Sequence, residues 1–533
     1  MTIRSPDPDI DIPELALTDF VLHRARELGD KIALVCGATG RSFSYRQLAD
    51  AIPRVAAGLH ARGIRKGQVV GIVSPNIPEF ALAFLAVASL GAICSTVNPI
   101  ATAEEIGAQF ADSEALMIIT VPQLLEKCQT AARLAATVGD IVVIGEATNG
   151  AIPTNGAIAF ASLFEHGNQP PHVAIDARND VVALPYSSGT SGIPKGVMLT
   201  HYNLVANLVQ CNATVPMVRE DDRLLGVLPF FHIYGMVVIM CGALYAGATV
   251  VTLPRFDLEQ CLDVIQKHRI TYANVVPPII LAFAKHPLVD KYDLSSLRAL
   301  FSGAAPLSDE LATACTARLA VAVRQGYGLT ETSPVTHFHP IESEIVRYGS
   351  VGPAVANTEC RIVDPDTGLD VPPGERGELW IRGPQVMKGY FNKPEATAAC
   401  MTHDGWFITG DVAMVDKDNW FYIVDRVKEL IKFKGWQVAP AELEAVLLSH
   451  PSIADAAVIP VPDDDAGEVP KAFVVLRGEL SGDEIMKYVA ERVSPYKKIR
   501  VVEITDTIPK SPSGKILRRL LVEKERNAAR VQS

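Results

Sequence analysis

Short apolar runs alternate with longer helical patterns along much of the chain. The helical pattern that follows Ser44 continues to about Gly63, and Ser44 is a suitable N-cap. The apolar run Val69–Val73 follows as a strand, and a second helix is predicted near Ile77–Leu90. Such alternation is typical of βαβ units and predicts parallel sheets covered by helices.

The same alternation returns after residue 200. Strands are predicted near Asp222–Leu228, Ala248–Leu253 and Thr271–Val276, each followed by a helical or proline-marked segment. From Ser350 to Trp420 the pattern changes to short strands separated by Gly/Pro turns, which indicates a small β-rich subdomain.

A compact α+β segment of about 105 residues follows Asp425 and is long enough to fold by itself. The sequence therefore predicts an α/β fold with two domains. Residues 1–425 form the large N-terminal domain of parallel-sheet layers, in which about 350–425 is the β-rich subdomain. Residues 426–533 form a small, mobile C-terminal domain.

Composition and charge narrow the functional classes. The chain has 533 residues, of which 48% are hydrophobic and 20% charged, as expected for a globular protein of two or more domains. Its formal charge of −11 argues against nonspecific nucleic-acid binding, because no global positive field displaces counterions. No nucleic-acid partner is expected.

The nine cysteines are scattered without a C-x-x-C pair, which fits neither a disulfide scaffold nor a zinc site. Two apolar runs, Phe80–Val97 and Val237–Leu253, are marginal in length for a membrane span. Both contain glycine and change to β-branched residues, as expected of a buried helix followed by a buried strand. The ends of the chain carry no signal segment or peroxisomal tripeptide, so we predict a cytoplasmic location without an integral membrane segment.

The segment Tyr186–Val197 is rich in hydroxyls and glycines and has one lysine, a composition suited to holding phosphates. It is not a Walker A loop, because Lys195 follows Pro194 and the glycine spacing differs. The segment lies between the apolar run Val181–Leu184 and a helical pattern from His201, which favours a strand–loop–helix connection over a flexible linker. The candidate phosphate-binding residues are Ser187, Ser188, Gly189, Thr190, Ser191, Gly192 and Lys195.

This loop resembles the phosphate-binding signature of the AMP-forming acyl-CoA synthetases, the adenylating superfamily that includes luciferase. Seven further motifs match in the order of that family, and the chain is most similar to 4-coumarate–CoA ligases. The motifs are Phe231–Tyr234, Ser302–Pro306, Gln325–Glu331, Gly377–Gly383, Thr409–Asp411, Asp425–Gly435 and Pro509–Lys515.

The resemblance implies a ligase that uses ATP, Mg²⁺ and CoA. A carboxylic acid and ATP give an acyl adenylate and pyrophosphate, and CoA then takes the acyl group and releases AMP. Lys515, in a glycine-flanked loop, is the strongest candidate to meet both the carboxylate and the α-phosphate.

The same resemblance assigns the nucleotide contacts. Tyr327 stacks beside adenine, Thr330 contacts the phosphate and Glu331 holds Mg²⁺, for which one carboxylate with phosphate oxygens is a reasonable site. Asp411 and Arg426 bind the ribose, since a carboxylate accepts from two hydroxyls. Gln325 and Gly326 complete the predicted ATP/AMP site.

Two successive reactions of one carboxyl group predict a moving domain. Lys515 is needed for adenylation, whereas the thiol needs an open path, so we expect rotation about a hinge at Lys428. Alternation places Lys432 and Lys434 on one face of an extended strand. By resemblance, Lys432 and Gln437 contact the nucleotide or adenylate, and the CoA contacts are Arg255, Lys434 and Gly435.

The predicted acyl pocket begins at the catalytic candidate His232. By resemblance its wall consists of Tyr234, Val238, Gly303, Gly326, Pro334 and Val335. The segment Gly235–Met240 has no charge that could anchor an amino group, which favours a plain organic acid. The resemblance implies an aromatic acid of the cinnamate or coumarate type. Medium-chain fatty acids, a luciferase-like monooxygenase, carrier loading and a silent nucleotide-binding module stay open as alternatives, and the oligomeric state is open, with a homodimer as one option.

Overall fold

The computed structural model describes residues 2–145, 156–167, 170, 172–187, 194–213, 216–343, 345–434, 436–463, 465–511 and 514–532. These residues form a large N-terminal domain with two mainly parallel sheets, a β-rich subdomain with an antiparallel sheet, and an α+β C-terminal domain. The predicted fold class is therefore confirmed.

The first sheet of the N-terminal domain has a parallel centre and an antiparallel edge. Gly389–Tyr390 pairs antiparallel with Lys195–Thr200 at this edge. From that edge inward the strand order is Tyr186–Ser187, Lys195–Thr200, Val181–Ala183, Ile93–Val97, Val69–Val73, Met117–Thr120, Asp140–Val143 and Ile158–Ala159.

The second sheet is parallel except at its two edges. Its strand order is Val335–Phe338, Ala322–Gly328, Ala299–Ser302, Tyr272–Val275, Arg223–Gly226, Thr249–Thr252, Ile32–Cys36 and Ser42–Ser44. Each strand predicted after residue 200 is present within a few residues of its expected ends. Because parallel strands end at one edge of a sheet, the motifs that follow Tyr272–Val275, Ala299–Ser302 and Ala322–Gly328 lie side by side.

The helices cover these sheets, and the helix predicted after Ser44 begins at that cap. Ser44 accepts a hydrogen bond from the backbone N–H of Gln47 at 3.2 Å, which starts the long helix Tyr45–Ala61. The α-helices of the described residues are Leu17–Val21, Ala25–Leu28, Tyr45–Ala61, Pro78–Ser89, Ala103–Asp112, Leu125–Leu134, His201–Gln210, Gly242–Ala246, Leu258–His268, Pro277–Lys285, Asp309–Leu319, Pro394–Ala398, Pro440–Leu448, Gly482–Ala490 and Arg518–Gln532.

The two long apolar runs each form a buried helix followed by a buried strand, as predicted. Pro78–Ser89 leads into Ile93–Val97, and a π-helical segment, Tyr234–Cys241, leads through Gly242–Ala246 into Thr249–Thr252. Within the described ranges, no helix combines the length and the apolar character that crossing a bilayer requires.

The β-rich subdomain is an antiparallel sheet of the order Ile3–Arg4, Glu359–Val363, Gly377–Arg382, Phe407–Val415 and Phe421–Arg426. The participation of the N-terminal strand was not predicted. The C-terminal sheet has the order Trp436–Val438, Ile431–Phe433, Gly467–Leu476 and Ile453–Asp463, and Val501–Ile504 pairs with Gly467–Leu476. The short turn Val427–Glu429 connects these two sheets.

Candidate active site

A cavity of about 1400 Å³ lies between the N-terminal and C-terminal domains. It follows the carboxyl ends of the second sheet, where the strands Ala299–Ser302 and Ala322–Gly328 stop, and the C-terminal domain closes it with the loop before Arg518–Gln532. The predicted residues that line it are Ser187, His232, Tyr234, Gly303, Gln325, Gly326, Tyr327, Thr330, Glu331, Pro334, Val335, Asp411, Arg426, Lys428 and Lys515.

Asp411 and Arg426 face each other on adjacent antiparallel strands of the β-rich subdomain. Their side chains form an ion pair between the partly buried Arg426 and the buried Asp411, with 3.1 Å between Arg426 Nε and Asp411 Oδ1. Tyr327 donates its hydroxyl to Asp411 Oδ2 at 2.5 Å. Burial raises the pKa of Asp411, and the charge of Arg426 and the Tyr327 hydroxyl oppose that rise. The arrangement fixes one carboxylate at the cavity wall, as a ribose ligand requires.

Glu331 is a second buried carboxylate that lines the cavity. Its Oε1 accepts from Ser187 Oγ at 2.6 Å and from the Tyr390 hydroxyl at 2.9 Å. The Lys195 ammonium lies over the Tyr390 ring, 5.1 Å from its centroid. The described residues contain no group of three His, Cys, Asp or Glu side chains that could hold a metal. A single buried carboxylate such as Glu331 is a donor that a magnesium ion can accept alongside phosphate oxygens.

Tyr390 was not predicted as a site residue. It reaches Glu331 because Gly389–Tyr390 pairs with the strand that carries Lys195, with Tyr390 opposite Val197. Motif spacing along the chain gave no signal for this contact, since the two partners are about 60 positions apart.

Lys515 enters the cavity from the C-terminal domain. Its loop is closed by hydrogen bonds between Lys515 and Ser511, and it contacts the N-terminal domain at Gly514, where a Cβ atom would lie 3.3 Å from Pro278. Burial lowers the pKa of Lys515, and the nearby charge of Arg426 lowers it further. Lys515 and the candidate ribose ligands Asp411 and Arg426 thus line the same cavity.

His232 also faces this group of charges. Burial lowers the pKa of His232 to about 4, and the charge of Lys515 contributes to the decrease. The imidazole is therefore neutral near pH 7 and can donate or accept a hydrogen bond without adding charge beside Lys515.

The acyl-pocket candidates lie in the cavity with one exception. The Tyr234 hydroxyl donates to the Phe301 carbonyl at 3.1 Å, and its ring lies against Gly303, where an added Cβ atom would be 2.9 Å from Cε1. Val238 does not line this cavity. Val238 lies in the π-helical segment Tyr234–Cys241 and borders a separate small cavity beside the helix His201–Gln210.

Two predicted CoA contacts, Arg255 and Lys434, do not line the cavity, and neither do the predicted nucleotide or adenylate contacts Lys432 and Gln437. Arg255 is exposed after the strand Thr249–Thr252. Lys432 and Gln437 face each other across the hairpin Ile431–Val438 and are exposed. The strand ends at Phe433, and Lys434 has a φ of 47°, so the expectation that both lysines continue one extended strand was wrong.

Part of the predicted site lies outside the described residues, namely Gly435 and the loop residues Ser188, Gly189, Thr190, Ser191 and Gly192. The described ends of that loop correct one expectation. Tyr186–Ser187 and Lys195–Thr200 pair antiparallel, so the loop joins two strands before the helix His201–Gln210 begins. Lys195 consequently lies on a strand, with its ammonium held beside Tyr390.

Comparisons with known proteins agree with this geometry. The family model for AMP-binding enzymes matches residues 21–391, and the model for the AMP-binding enzyme C-terminal domain matches residues 442–515. The chain is 46% identical over 527 residues to 4-coumarate–CoA ligase 5 of Oryza sativa subsp. japonica, covering 97% of this chain and 96% of that relative.

Two solved structures are also similar. The anthranilate CoA ligase AuaEII in complex with anthranoyl-AMP gives a TM-score of 0.89 at 28% identity, covering 97% of this chain and 99% of that chain. The o-succinylbenzoate CoA synthetase MenE of Bacillus subtilis, in complex with ATP and magnesium, gives a TM-score of 0.81 at 28% identity, covering 94% and 99%. The chain therefore belongs to the AMP-binding enzyme family, among its acid–CoA ligases.

Proposed function

We propose that this protein activates an aromatic carboxylic acid of the cinnamate or coumarate type with ATP and transfers the acyl group to CoA. The observation that carries the proposal is the shared cavity, in which Lys515 of the mobile domain, the Asp411–Arg426 pair and the Tyr234 pocket wall converge. The similarity to 4-coumarate–CoA ligases over nearly the whole chain supports the class of acid.

In the first step the acid carboxylate attacks the α-phosphorus and pyrophosphate leaves. Lys515 supplies the positive charge that orients the carboxylate and stabilises charge on the α-phosphate. Asp411 accepts from the ribose hydroxyls, while Tyr327 and Thr330 border adenine and phosphate. Magnesium, when bound, neutralises phosphate charge, and Glu331 would hold it.

In the second step the CoA thiol attacks the acyl carbon and AMP leaves. The thiol needs the space that Lys515 occupies, so we propose rotation of the C-terminal domain about Lys428, in the turn that joins the β-rich and C-terminal sheets. Exposure of Lys432, Lys434 and Gln437 supports this step, because the rotation can bring that hairpin to the cavity. Arg255 remains a proposed contact for a CoA phosphate.

Lys428→Pro is expected to reduce thioester formation at least tenfold more than adenylate formation, because proline fixes φ at the position that must rotate. Pyrophosphate release without CoA measures the first step, and acyl-CoA formation from supplied acyl adenylate measures the second. Lys428→Ala is the control, since it removes the side chain and leaves the backbone free to rotate. Equal losses in both steps with Lys428→Pro would reject the hinge.

Gly303→Ala is expected to lower kcat/KM for an aromatic acid about tenfold, because the new methyl group meets the Tyr234 ring at 2.9 Å and displaces it into the pocket. The KM for ATP should stay unchanged. Gly478→Ala is a matched control, because a Cβ atom there has no neighbour within 4 Å. Unchanged acid kinetics in Gly303→Ala would exclude this wall from the acyl pocket.

Pyrophosphate release across a panel of acids, with and without CoA, tests the proposed function directly. Release with cinnamate and coumarate, and CoA-dependent formation of AMP and thioester, is the expected result. If medium-chain fatty acids were the preferred substrates, they would replace the aromatic acid in the proposed function. The panel includes them because apolar pockets discriminate weakly between similar chains. Light emission in oxygen without CoA would favour a monooxygenase, and no release with any acid would contradict the proposal.

Three structural expectations accompany this function. We propose the domain boundary near Asp425; the β-rich sheet ends one residue later, at Arg426, and the C-terminal sheet begins at Ile431, which supports a boundary in this region. A cytoplasmic location and a homodimer stay predictions.

A further inference from the structure

The helix Pro440–Leu448 of the C-terminal domain takes its N-terminal cap from the other side of the proposed hinge. Ala439 precedes the helix and has no side chain that accepts a hydrogen bond, and Pro440 has no backbone N–H. The backbone N–H of Ala441 donates instead to Asp425 Oδ2 at 2.9 Å. A buried carboxylate at this end of a helix also interacts favourably with the helix dipole.

Asp425 is fixed by the β-rich subdomain. It lies on the strand Phe421–Arg426, opposite Val412, and its Oδ1 accepts from the backbone N–H of Arg426 at 2.7 Å. Arg426 in turn pairs with Asp411 in the cavity. The cap therefore connects the strand that carries the candidate ribose site to a helix packed in the core of the C-terminal domain.

The charged side chain of Arg518 links the capping residue Asp425 to the loop that carries Lys515. Burial raises the pKa of Asp425, and the positive charge of Arg518 opposes that rise. Arg518 follows Lys515 by three residues, donates to Glu444 Oε2 at 2.6 Å and pairs with Glu429. The orientation of the capped helix and the position of the Lys515 loop are thus coupled through one buried guanidinium.

We propose that Asp425 is a positioning residue that holds the C-terminal domain in the arrangement in which Lys515 lies in the cavity. Asp425 precedes Lys428 and Ala441 follows it, so rotation at Lys428 separates the carboxylate from the N–H that it accepts. The cap therefore stabilises the adenylate-forming arrangement and is released before the thiol attacks. This inference rests on the proposed two-step function.

Asp425→Ala is expected to slow adenylate formation about tenfold, because losing a buried, charge-assisted hydrogen bond shifts the equilibrium away from the arrangement that needs Lys515. Thioester formation from supplied acyl adenylate should be unchanged or faster. Asp425→Asn retains a side-chain oxygen that accepts from Ala441, and it should restore part of the first step.

Ser481→Ala is the matched control. Ser481 caps the helix Gly482–Ala490 of the same domain by accepting from the Glu484 N–H at 3.3 Å, away from the hinge. It should lower the stability of the domain and affect the two half-reactions equally. If Asp425→Ala slowed the two half-reactions equally, as is expected of Ser481→Ala, the role of Asp425 would be structural only and the proposal would be overturned.

Solution X-ray scattering with the sulfamate analogue of cinnamoyl adenylate gives a second readout that needs no turnover. The wild-type profile should match the arrangement described above, and Asp425→Ala should shift the profile away from it, whereas Ser481→Ala should not. An unshifted Asp425→Ala profile would overturn the proposal. Failure of the wild type to release pyrophosphate with any acid would contradict the proposed function, and the scattering comparison would still decide whether Asp425 holds the domains.

Discussion

Lys515→Met is expected to slow adenylate formation by roughly 100- to 1000-fold, the usual cost of removing one preorganised donor from charge that develops in a transition state. Thioester formation from supplied acyl adenylate should change less than about threefold, because the second step needs Lys515 to leave. Quenched assays of pyrophosphate release and of acyl-CoA formation measure the rates of the two steps separately.

The pH dependence of the first step gives a second test of the same residue. Burial and Arg426 lower the pKa of Lys515, so its ammonium loses the proton at a lower pH than an exposed lysine does. The kcat/KM of adenylation should therefore decrease as the pH rises through this lowered pKa, and the thioester step should lack that decrease. In Lys515→Arg the guanidinium keeps its charge, so any remaining adenylation should lose the alkaline decrease.

Lys524→Met is the control for charge removal from the C-terminal domain. Lys524 lies on the helix Arg518–Gln532 and pairs with Glu503 at 2.6 Å. Its side chain is exposed and is far less buried than that of Lys515. Both half-reactions should remain near wild-type values in this variant. Equal losses of the two half-reactions in Lys515→Met would show that Lys515 does not distinguish the steps.

The fold was predictable where the pattern of apolar positions is unambiguous. Val69–Val73 is buried throughout and forms the expected strand, and Ser44 caps the expected helix. The strand and the helix follow from local propensity and from the apolar pattern. The motifs that end in Glu331 and Asp411 were identified by their resemblance to the family, and both line the cavity.

Other features depend on tertiary contacts that no local pattern encodes. Val238 lies in a π-helical segment and borders a separate small cavity, a placement that its position in the sequence does not indicate. Tyr390 reaches Glu331 only because its short strand pairs beside Lys195, and Lys434 leaves the expected strand through a left-handed backbone conformation. Pairing and backbone conformation, rather than residue type, decide these positions.

Asp411→Ala is expected to impair both half-reactions at least 100-fold, in contrast to Lys515→Met, because the ribose is held in both steps. It should also lower the free energy of unfolding by about 2 kcal/mol, since the partly buried Arg426 guanidinium loses its partner. The Tyr327 hydroxyl loses its acceptor as well. Urea denaturation and calorimetric titration with AMP measure stability and nucleotide binding independently.

A double variant separates these two effects. Asp411→Ala with Arg426→Met removes both charges, and stability should return towards the wild-type value, because replacing a buried ion pair by apolar side chains is often neutral. AMP binding and both half-reactions should stay lost, because no carboxylate remains to accept from the ribose. If the double variant recovered nucleotide binding together with stability, the Asp411–Arg426 pair would be a structural ion pair and the ribose would have to be held elsewhere in the cavity.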